Sequence, residues 1–296
     1  MPRSTSSSPW NARIAAVLII NLVLWASAFV AIRAGLEGYS PGELALFRHL
    51  IASTVLGLYL VFRRLPLPAR RDLPRVALIG AVGFAFYSLA INAGETRVQA
   101  GPASFVLNTS PIFTAILASK FLGERLRPMI WLGLTVSMVG TGIIAFGEAK
   151  GFSLEPALLL VLLAAILQSG YFVLQKPLLE RYSAVQLNAA CIIAGTILLL
   201  PFLPGLVEQV GHAPLRTTSA AVYLGVFASA IGYVMWAYLS ARMPVSRTAT
   251  FLYCIPFLAT FIGWIWLSEV PSVFSFVGGC VAVIGVVLAN RLSADK

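Results

Sequence analysis

The chain has 296 residues, of which 59% are hydrophobic and only 11% are charged, and its mean hydropathy is +0.88. Soluble domains carry about 25% charged residues, because much of their surface faces water. The composition therefore excludes a soluble enzyme and a disordered scaffold. The net charge of +10 does not indicate nucleic-acid binding, because the basic residues form short clusters between apolar segments, as in the loops of membrane proteins.

Ten apolar segments are long enough to cross a bilayer, which takes about 20 residues of helix. We place the spans at residues 14–34, 43–62, 75–94, 102–122, 129–147, 156–176, 185–203, 219–240, 247–268 and 272–291. The short connections leave no room for a soluble catalytic domain. The sequence thus predicts an all-α integral membrane protein with ten transmembrane helices.

The basic residues predict the orientation of these spans. With a cytoplasmic N-terminus, 16 of the 21 lysines and arginines fall in cytoplasmic segments. The other five are Arg33, Arg48, Arg97, Lys150 and Arg216. Cytoplasmic loops carry an excess of Lys and Arg. We therefore expect a multi-pass protein of the bacterial inner (plasma) membrane with both termini in the cytoplasm.

An internal repeat appears when the chain is shifted by 145 residues. The matched positions are Arg97 with Arg242, Pro111 with Pro256, Glu124 with Glu269, Gly133 with Gly278, and Gly140 with Gly285. We therefore expect two five-helix repeats, in residues 1–150 and 151–296. Because five is odd, the second repeat enters the membrane from the opposite side. Inverted repeats are common in transporters, which bind substrate between the halves near the midplane.

Several segments carry a family resemblance. They are Asn92-Ala-Gly-Glu-Thr-Arg-Val-Gln-Ala-Gly-Pro-Ala-Ser-Phe-Val-Leu-Asn-Thr-Ser-Pro111, Gly123-Glu124-Arg125-Leu126, Trp25-Ala-Ser-Ala-Phe29 and Phe47-Arg48. The chain resembles the ten-span permeases of the drug/metabolite transporter superfamily, of the EamA type. Within that group it looks most similar to aromatic amino-acid exporters of the YddG type, through overall similarity and aromatic residues in the spans. The second half departs from the pattern at Ser268-Glu269-Val270.

The resemblance implies a secondary transporter that exports aromatic and other neutral amino acids and related metabolites by alternating access. An exporter of another small metabolite or drug, such as a nucleoside or a lipophilic compound, remains the alternative. A membrane-embedded enzyme acting on lipid, or a scaffold, is a third hypothesis. The partners expected are a small-molecule substrate and the lipid bilayer, with no nucleic acid. We expect a monomer, with a dimer as the alternative.

Two prolines lie near the centres of apolar spans. Pro111 is in the fourth span and Pro256 is at the matching place in the ninth. Proline removes a backbone hydrogen bond and kinks a helix. In lipid, the freed carbonyls are tolerated only when they are buried in protein or line a cavity. We interpret the pair as hinges beside the substrate site, with a static packing kink as the alternative.

Polar and aromatic residues recur at mid-span, although aromatic residues of membrane proteins usually lie at the interfaces. The candidates for substrate binding are Trp25, Ser27, Tyr87, Asn108, Gln168, Tyr171, Tyr233, Trp236 and Tyr253. These side chains could contact a substrate through hydroxyls, amides and indole N–H groups. The alternative is interhelical hydrogen bonding and packing.

Three charged residues near span ends are candidates for a gate or an ion pair, namely Arg48, Glu124 and Glu269. Arg48 lies inside its span, where it could pair with Glu43. No Asp or Glu stands at the midplane of a span, as a carrier of organic cations would need. A zwitterion can instead be bound by amides, hydroxyls and freed carbonyls.

Enzyme motifs are missing from the chain. It has no P-loop, no H-E-x-x-H and no G-x-S-x-G. Its three cysteines lie in apolar segments without C-x-x-C spacing, which is typical of packing residues. We therefore expect no catalytic residue, no metal and no cofactor.

Overall fold

The computed structural model describes residues 12–98, 100–148, 156–258, 262 and 273–291. All regular secondary structure in this part of the chain is helical. The helices are α1 (Ala12–Leu36), α2 (Pro41–Phe62), α3 (Arg70–Glu95), α4 (Ala100–Leu107 and Ser110–Leu122), α5 (Pro128–Glu148), α6 (Leu158–Glu180), α7 (Ala184–His212), α8 (Leu215–Ser240), α9 (Val245–Thr250, continued by Phe251–Cys254) and α10 (Val273–Arg291). The prediction of an all-α protein with ten helices is confirmed.

The outer surface of the bundle is apolar. Eight helical stretches in the described residues are long and apolar enough to cross a membrane. Large side chains such as Val61, Phe62, Phe121 and Leu215 lie exposed on the outside. In a soluble protein such contiguous apolar surface would be unfavourable, whereas lipid tails solvate it. The structure therefore agrees with a multi-pass membrane protein.

Helices α5 and α10 pack against each other in opposite directions. A Cβ atom added to Gly133 would lie 2.6 Å from the carbonyl oxygen of Gly285, and one added to Gly285 would lie 2.6 Å from the carbonyl oxygen of Gly133. Gly140 and Gly278 face each other in the same reciprocal way, also at 2.6 Å. The two helices are therefore antiparallel. Since these four glycines match at the 145-residue offset, the two halves are inverted repeats.

Irregular segments also recur at matched places in the two halves. The middle of α3 is a π-helix over Ala81–Phe86, and the middle of α8 is a π-helix over Leu224–Gly232. The α4 helix breaks at 108–109, and α9 changes to a 3₁₀ turn over Phe251–Cys254. Such segments leave backbone groups without regular partners, and they are frequent at functional sites.

The sequence placed some span boundaries differently from the structure. The predicted span 102–122 is two helices, because Pro111 cannot donate to the preceding turn. Helix α7 extends to His212, well beyond the predicted end at residue 203, through a 3₁₀ turn at Leu200–Phe202. Most of 259–268, Glu269 and the predicted boundary between residues 150 and 151 lie outside the described residues.

Candidate functional site

A cavity of about 50 Å³ lies between helices from both halves. Its wall consists of Trp25, Ala28, Phe29, Ile32, Arg48, Tyr87, Ile91, Leu107, Asn108, Ser110, Gln168, Ala228, Tyr233, Leu252 and Ile255. Known small-molecule sites combine apolar walls with a few polar groups. The cavity therefore has the composition of a site for a small amphipathic molecule.

Helix α1 satisfies the carbonyls that the π-helix of α8 frees. The amide Nδ2 of Asn21 donates to the Gly232 carbonyl at 2.7 Å, and the indole Nε1 of Trp25 donates to the Ala228 carbonyl at 3.3 Å. Gly232 permits this approach, since a Cβ there would lie 2.7 Å from Trp25 Nε1. The indole N–H of Trp25 is therefore held by the protein, and the residue offers the cavity its ring.

The break in α4 contributes two residues to the cavity wall. Asn108 lies in the break, and Ser110 begins the second segment, just before the buried Pro111. The hydroxyl of Ser169 on α6 donates to the Ser110 carbonyl at 2.8 Å. A side chain of the second half thus braces the broken helix of the first half. In α9, Pro256 follows the 3₁₀ turn, beside the wall residue Ile255.

Six aromatic rings pack together in the centre of the bundle. This aromatic cluster consists of Trp25, Phe84, Tyr171, Phe172, Tyr233 and Trp236. Neighbouring ring centroids lie 4.5–5.5 Å apart in tilted or edge-to-face arrangements, which aromatic pairs favour. Trp25 and Tyr233 belong to both the cluster and the cavity wall, so the cluster forms one side of the cavity.

Five of the nine side chains that the sequence proposed for substrate binding line the cavity. They are Trp25, Tyr87, Asn108, Gln168 and Tyr233. The residues of the wall come from the first, third, fourth, sixth, eighth and ninth helices. Helix α2 joins them through Arg48.

Two of the other candidates form hydrogen bonds between helices. The Ser27 hydroxyl lies 2.6 Å from the Tyr223 hydroxyl and 3.0 Å from the Leu24 carbonyl. The Tyr171 hydroxyl donates to Oδ1 of Asn188 at 2.9 Å. Neither residue is on the cavity wall, so the packing interpretation describes these two positions.

The remaining two candidates, Trp236 and Tyr253, are fully buried away from the cavity wall. The Trp236 ring stacks 4.5 Å from Phe172 within the aromatic cluster. The Tyr253 hydroxyl lies 4.0 Å from the sulfur of Met138. The spacing of residues along a helix predicts which side chains share a face. It does not predict which face lines the cavity and which packs against a neighbouring helix.

Arg48 lies on the cavity wall, with only 3% of the residue exposed. Its Nε donates to the Ser229 hydroxyl in the π-helix of α8 at 3.1 Å, and its Nη1 is shielded from solvent without a hydrogen-bond partner. The described residues contain no salt bridge between Arg48 and Glu43. The ion pair that the sequence suggested is therefore replaced by a contact between the two halves.

Glu124 caps the start of α9. Gly123 ends α4 in the left-handed conformation, with φ of 66°, and so turns the chain toward α9. The Glu124 carboxylate accepts hydrogen bonds from the backbone N–H of Val245 at 2.7 Å, from the N–H of Ser246 at 3.1 Å, and from the Ser246 hydroxyl. A negative charge at a helix N-terminus is favourable. Within the described residues Glu124 makes no ion pair but joins the two halves as a cap.

A second contact closes the same end of the bundle. The ammonium group of Lys176, in α6, donates to the carbonyl of Ser240 and to that of Met243 at 2.9 Å, where α8 ends. A cation at a helix C-terminus pairs favourably with the last carbonyls. Together with the Glu124 cap, this contact joins α4, α6, α8 and α9 at one end of the bundle.

Glu95, at the end of α3, is an acidic residue with a buried carboxylate, and no sequence pattern singled it out. Both of its carboxylate oxygens are shielded from solvent without a hydrogen-bond partner. The cations that act on it are Arg33 and Arg48. In the sequence this residue stands just beyond the predicted span 75–94, at the end of an apolar run. No group of three or more His, Cys, Asp or Glu in the described part of the chain could hold a metal ion.

A membrane-spanning bundle of two inverted five-helix repeats around a central cavity is the architecture of a secondary transporter. The EamA-like transporter family matches residues 13–146 and again residues 155–291. The chain therefore belongs to the EamA-like transporter family, which is not enzymatic.

Relatives and a solved structure agree with this family. The uncharacterized transporter YdfC of Bacillus subtilis is 43% identical over 89% of this chain and 86% of its own length. A probable terminal-alkyne amino-acid exporter of Streptantibioticus cattleyicolor is 40% identical over 94% of both chains. The uncharacterized inner membrane transporter YedA of Escherichia coli is 26% identical over 90% of this chain and 87% of its own length. One crystal structure matches with a TM-score of 0.77 over 96% of this chain and 98% of its own, and its 19% identity supports the fold alone.

Proposed function

We propose that the protein exports neutral amino acids, aromatic ones included, and related metabolites across the bacterial inner membrane by alternating access. The observation that carries this proposal is the cavity between the inverted halves. Four aromatic rings line it, from Trp25, Phe29, Tyr87 and Tyr233, with the amides of Asn108 and Gln168. Aromatic faces attract ammonium groups and apolar side chains, and amides bond to carboxylate or ammonium.

The relatives support the same substrate class. The Streptantibioticus cattleyicolor protein is named as a probable exporter of an amino acid, and it aligns with this chain over nearly its whole length. The aromatic lining adds support for the similarity to aromatic amino-acid exporters of the YddG type. One chain contains the whole cavity wall, so the proposed transport unit is a monomer of two repeats, 1–150 and 151–296.

The excess of basic residues on one side of the membrane supports a proposal for which side of the cavity is closed. With both termini in the cytoplasm, the helix ends near Glu124 and Lys176 face the cytoplasm. The aromatic cluster then separates the cavity from that side. Bending of α4 and α9 beside Pro111 and Pro256 would open one side while it closes the other.

Counterflow into liposomes tests the proposal. Liposomes that contain purified protein are loaded with unlabelled amino acids, and uptake of labelled phenylalanine, threonine and lysine is followed. We expect protein-dependent uptake of phenylalanine and threonine. The substitutions Tyr87→Ala and Gln168→Ala should each lower uptake by about tenfold, because each removes a group from the cavity wall.

The control is Tyr59→Ala, which removes a tyrosine from the lipid-facing surface, where 44% of the residue is exposed. This variant should transport as the unaltered protein does. Absence of amino-acid uptake by folded protein would reject the proposal. Counterflow of a nucleoside or a lipophilic drug instead would then support the alternative substrate class.

A further inference from the structure

We infer that Arg48 binds the carboxylate of the transported substrate, so that the cavity selects molecules with a carboxylate group. This inference rests on the proposed function, because it names the group of the substrate that the site recognises. The sequence had placed Arg48 in a gate or an ion pair. Its position on the cavity wall points to a ligand instead.

Arg48 is the only charged residue on the described cavity wall. The residue is 97% buried, and its Nη1 has no hydrogen-bond partner. A buried, unpaired guanidinium N–H is unfavourable, and nearly all buried polar groups in proteins have partners. A planar carboxylate that enters the cavity would supply the missing acceptor, because it matches the fork of the guanidinium group.

Helix α8 holds this arginine in place. Gly225 lets α8 approach the backbone of α2, since a Cβ there would lie 2.8 Å from the Arg48 carbonyl oxygen. The Ser229 hydroxyl, one turn further along α8, accepts the hydrogen bond from Nε. The guanidinium group is thus positioned before a ligand arrives, which lowers the entropic cost of binding.

The nearby acidic group leaves this position open. Glu95 acts on Arg48 electrostatically, but both of its oxygens lack hydrogen-bond partners and no salt bridge joins the two residues within the described chain. Nη1 of Arg48 is therefore available to a ligand in the cavity.

Three ligands that differ only in their charged groups test the inference on the unaltered protein. They are L-phenylalanine, 3-phenylpropionate, which lacks the ammonium group, and 2-phenylethylamine, which lacks the carboxylate. Dissociation constants are measured directly by thermophoresis of the purified full-length protein in detergent. We expect 2-phenylethylamine to bind at least about tenfold more weakly than L-phenylalanine, as loss of a charge-assisted hydrogen bond predicts.

Variants then connect this preference to the arginine. Arg48→Gln should weaken L-phenylalanine and 3-phenylpropionate by about tenfold or more, and leave 2-phenylethylamine within about twofold. Arg48→Lys should retain part of the preference, since it keeps the charge without the planar fork. Arg216→Gln, which removes an exposed arginine outside the cavity, is the matched control and should change none of the three.

The outcomes separate this inference from the proposed function. If L-phenylalanine binds Arg48→Gln as tightly as the unaltered protein, the carboxylate site is rejected while amino-acid export stands. Equal weakening of all three ligands also rejects it, because the arginine then acts through packing. If L-phenylalanine does not bind but 3-phenylpropionate binds in an Arg48-dependent way, the carboxylate site stands and the amino-acid substrate is rejected. If neither carboxylate binds the unaltered protein, both proposals are rejected.

Discussion

Arg48 and Glu124 show how the few charged side chains of the bundle are accommodated. Charge inside a membrane is costly unless it has partners. Glu124 obtains them from the backbone at the start of α9, whereas Arg48 obtains one from Ser229 and keeps Nη1 for the cavity. Both side chains bridge the first repeat to the second. Both contacts therefore depend on how the two halves pack together.

The Glu124 cap predicts a stability effect at the residue scale. Glu124→Gln removes the negative charge from the N-terminus of α9 and should lower the free energy of unfolding by about 1–2 kcal/mol. Thermal unfolding in detergent measures the change. Glu208→Gln removes an exposed carboxylate that caps no helix and serves as the control. Equal melting temperatures for the two variants would show that the cap does not stabilise the protein.

At the element scale, close contacts through glycine determine how the helices meet. The α5–α10 pair has backbone separations that no Cβ could occupy, and the Ser137 hydroxyl donates across it to the Ala282 carbonyl at 2.9 Å. Without a hydrophobic driving force between helices in lipid, association depends on such close packing and on interhelical hydrogen bonds. The irregular centre of α8 contributes Ala228 to the cavity wall, and that of α3 contributes Phe84 to the aromatic cluster.

A substitution in this glycine contact should separate the two helices. In Gly140→Val the new side chain would overlap the backbone of α10 near Gly278 and Ala282, so we expect a loss of about 3 kcal/mol or failure to fold. The yield of monodisperse protein and its melting temperature measure this effect. Gly57→Val is the matched control, because no atom lies within 4 Å of a Cβ at Gly57. Normal yield and melting temperature for Gly140→Val would contradict the packing described.

At the scale of the whole molecule, the inverted repeats place helix breaks at two equivalent positions. The breaks beside Pro111 and Pro256 lie on opposite repeats and both adjoin the cavity. A movement at one break can therefore be mirrored at the other on the opposite side of the membrane. Such pseudo-symmetric exchange of conformations is the basis of alternating access in inverted-repeat transporters.

Replacement of both prolines tests this movement. The double variant Pro111→Ala, Pro256→Ala should slow counterflow by about tenfold, because alanine restores the helical hydrogen bonds and stiffens both breaks. The binding affinity for the same amino acid should change less than the rate. Pro128→Ala, at the first position of α5, where proline is well tolerated, is the control. An unchanged rate in the double variant would reject the hinges.

The sequence alone determined the features that depend on composition and spacing along the chain. Apolar segments of about 20 residues can only be stable as membrane helices, which accounts for the ten helices. Matched prolines and glycines at one offset indicated the inverted repeat, since an odd number of spans reverses the second half. A site between the two halves could be predicted for the same reason, because substrate sites lie between such repeats.

Only the tertiary structure decided which polar side chains reach the cavity. Tyr87 and Tyr171 are alike in the sequence, yet the first lines the cavity and the second donates to Asn188. The difference depends on the rotation of each helix, which its packing against neighbours determines. The sequence suggested an ion pair for Arg48, whereas in the structure its hydrogen-bond partner is Ser229, in the π-helix of α8. Contacts of this kind join residues about 180 positions apart, a separation at which local pattern carries no information on distance.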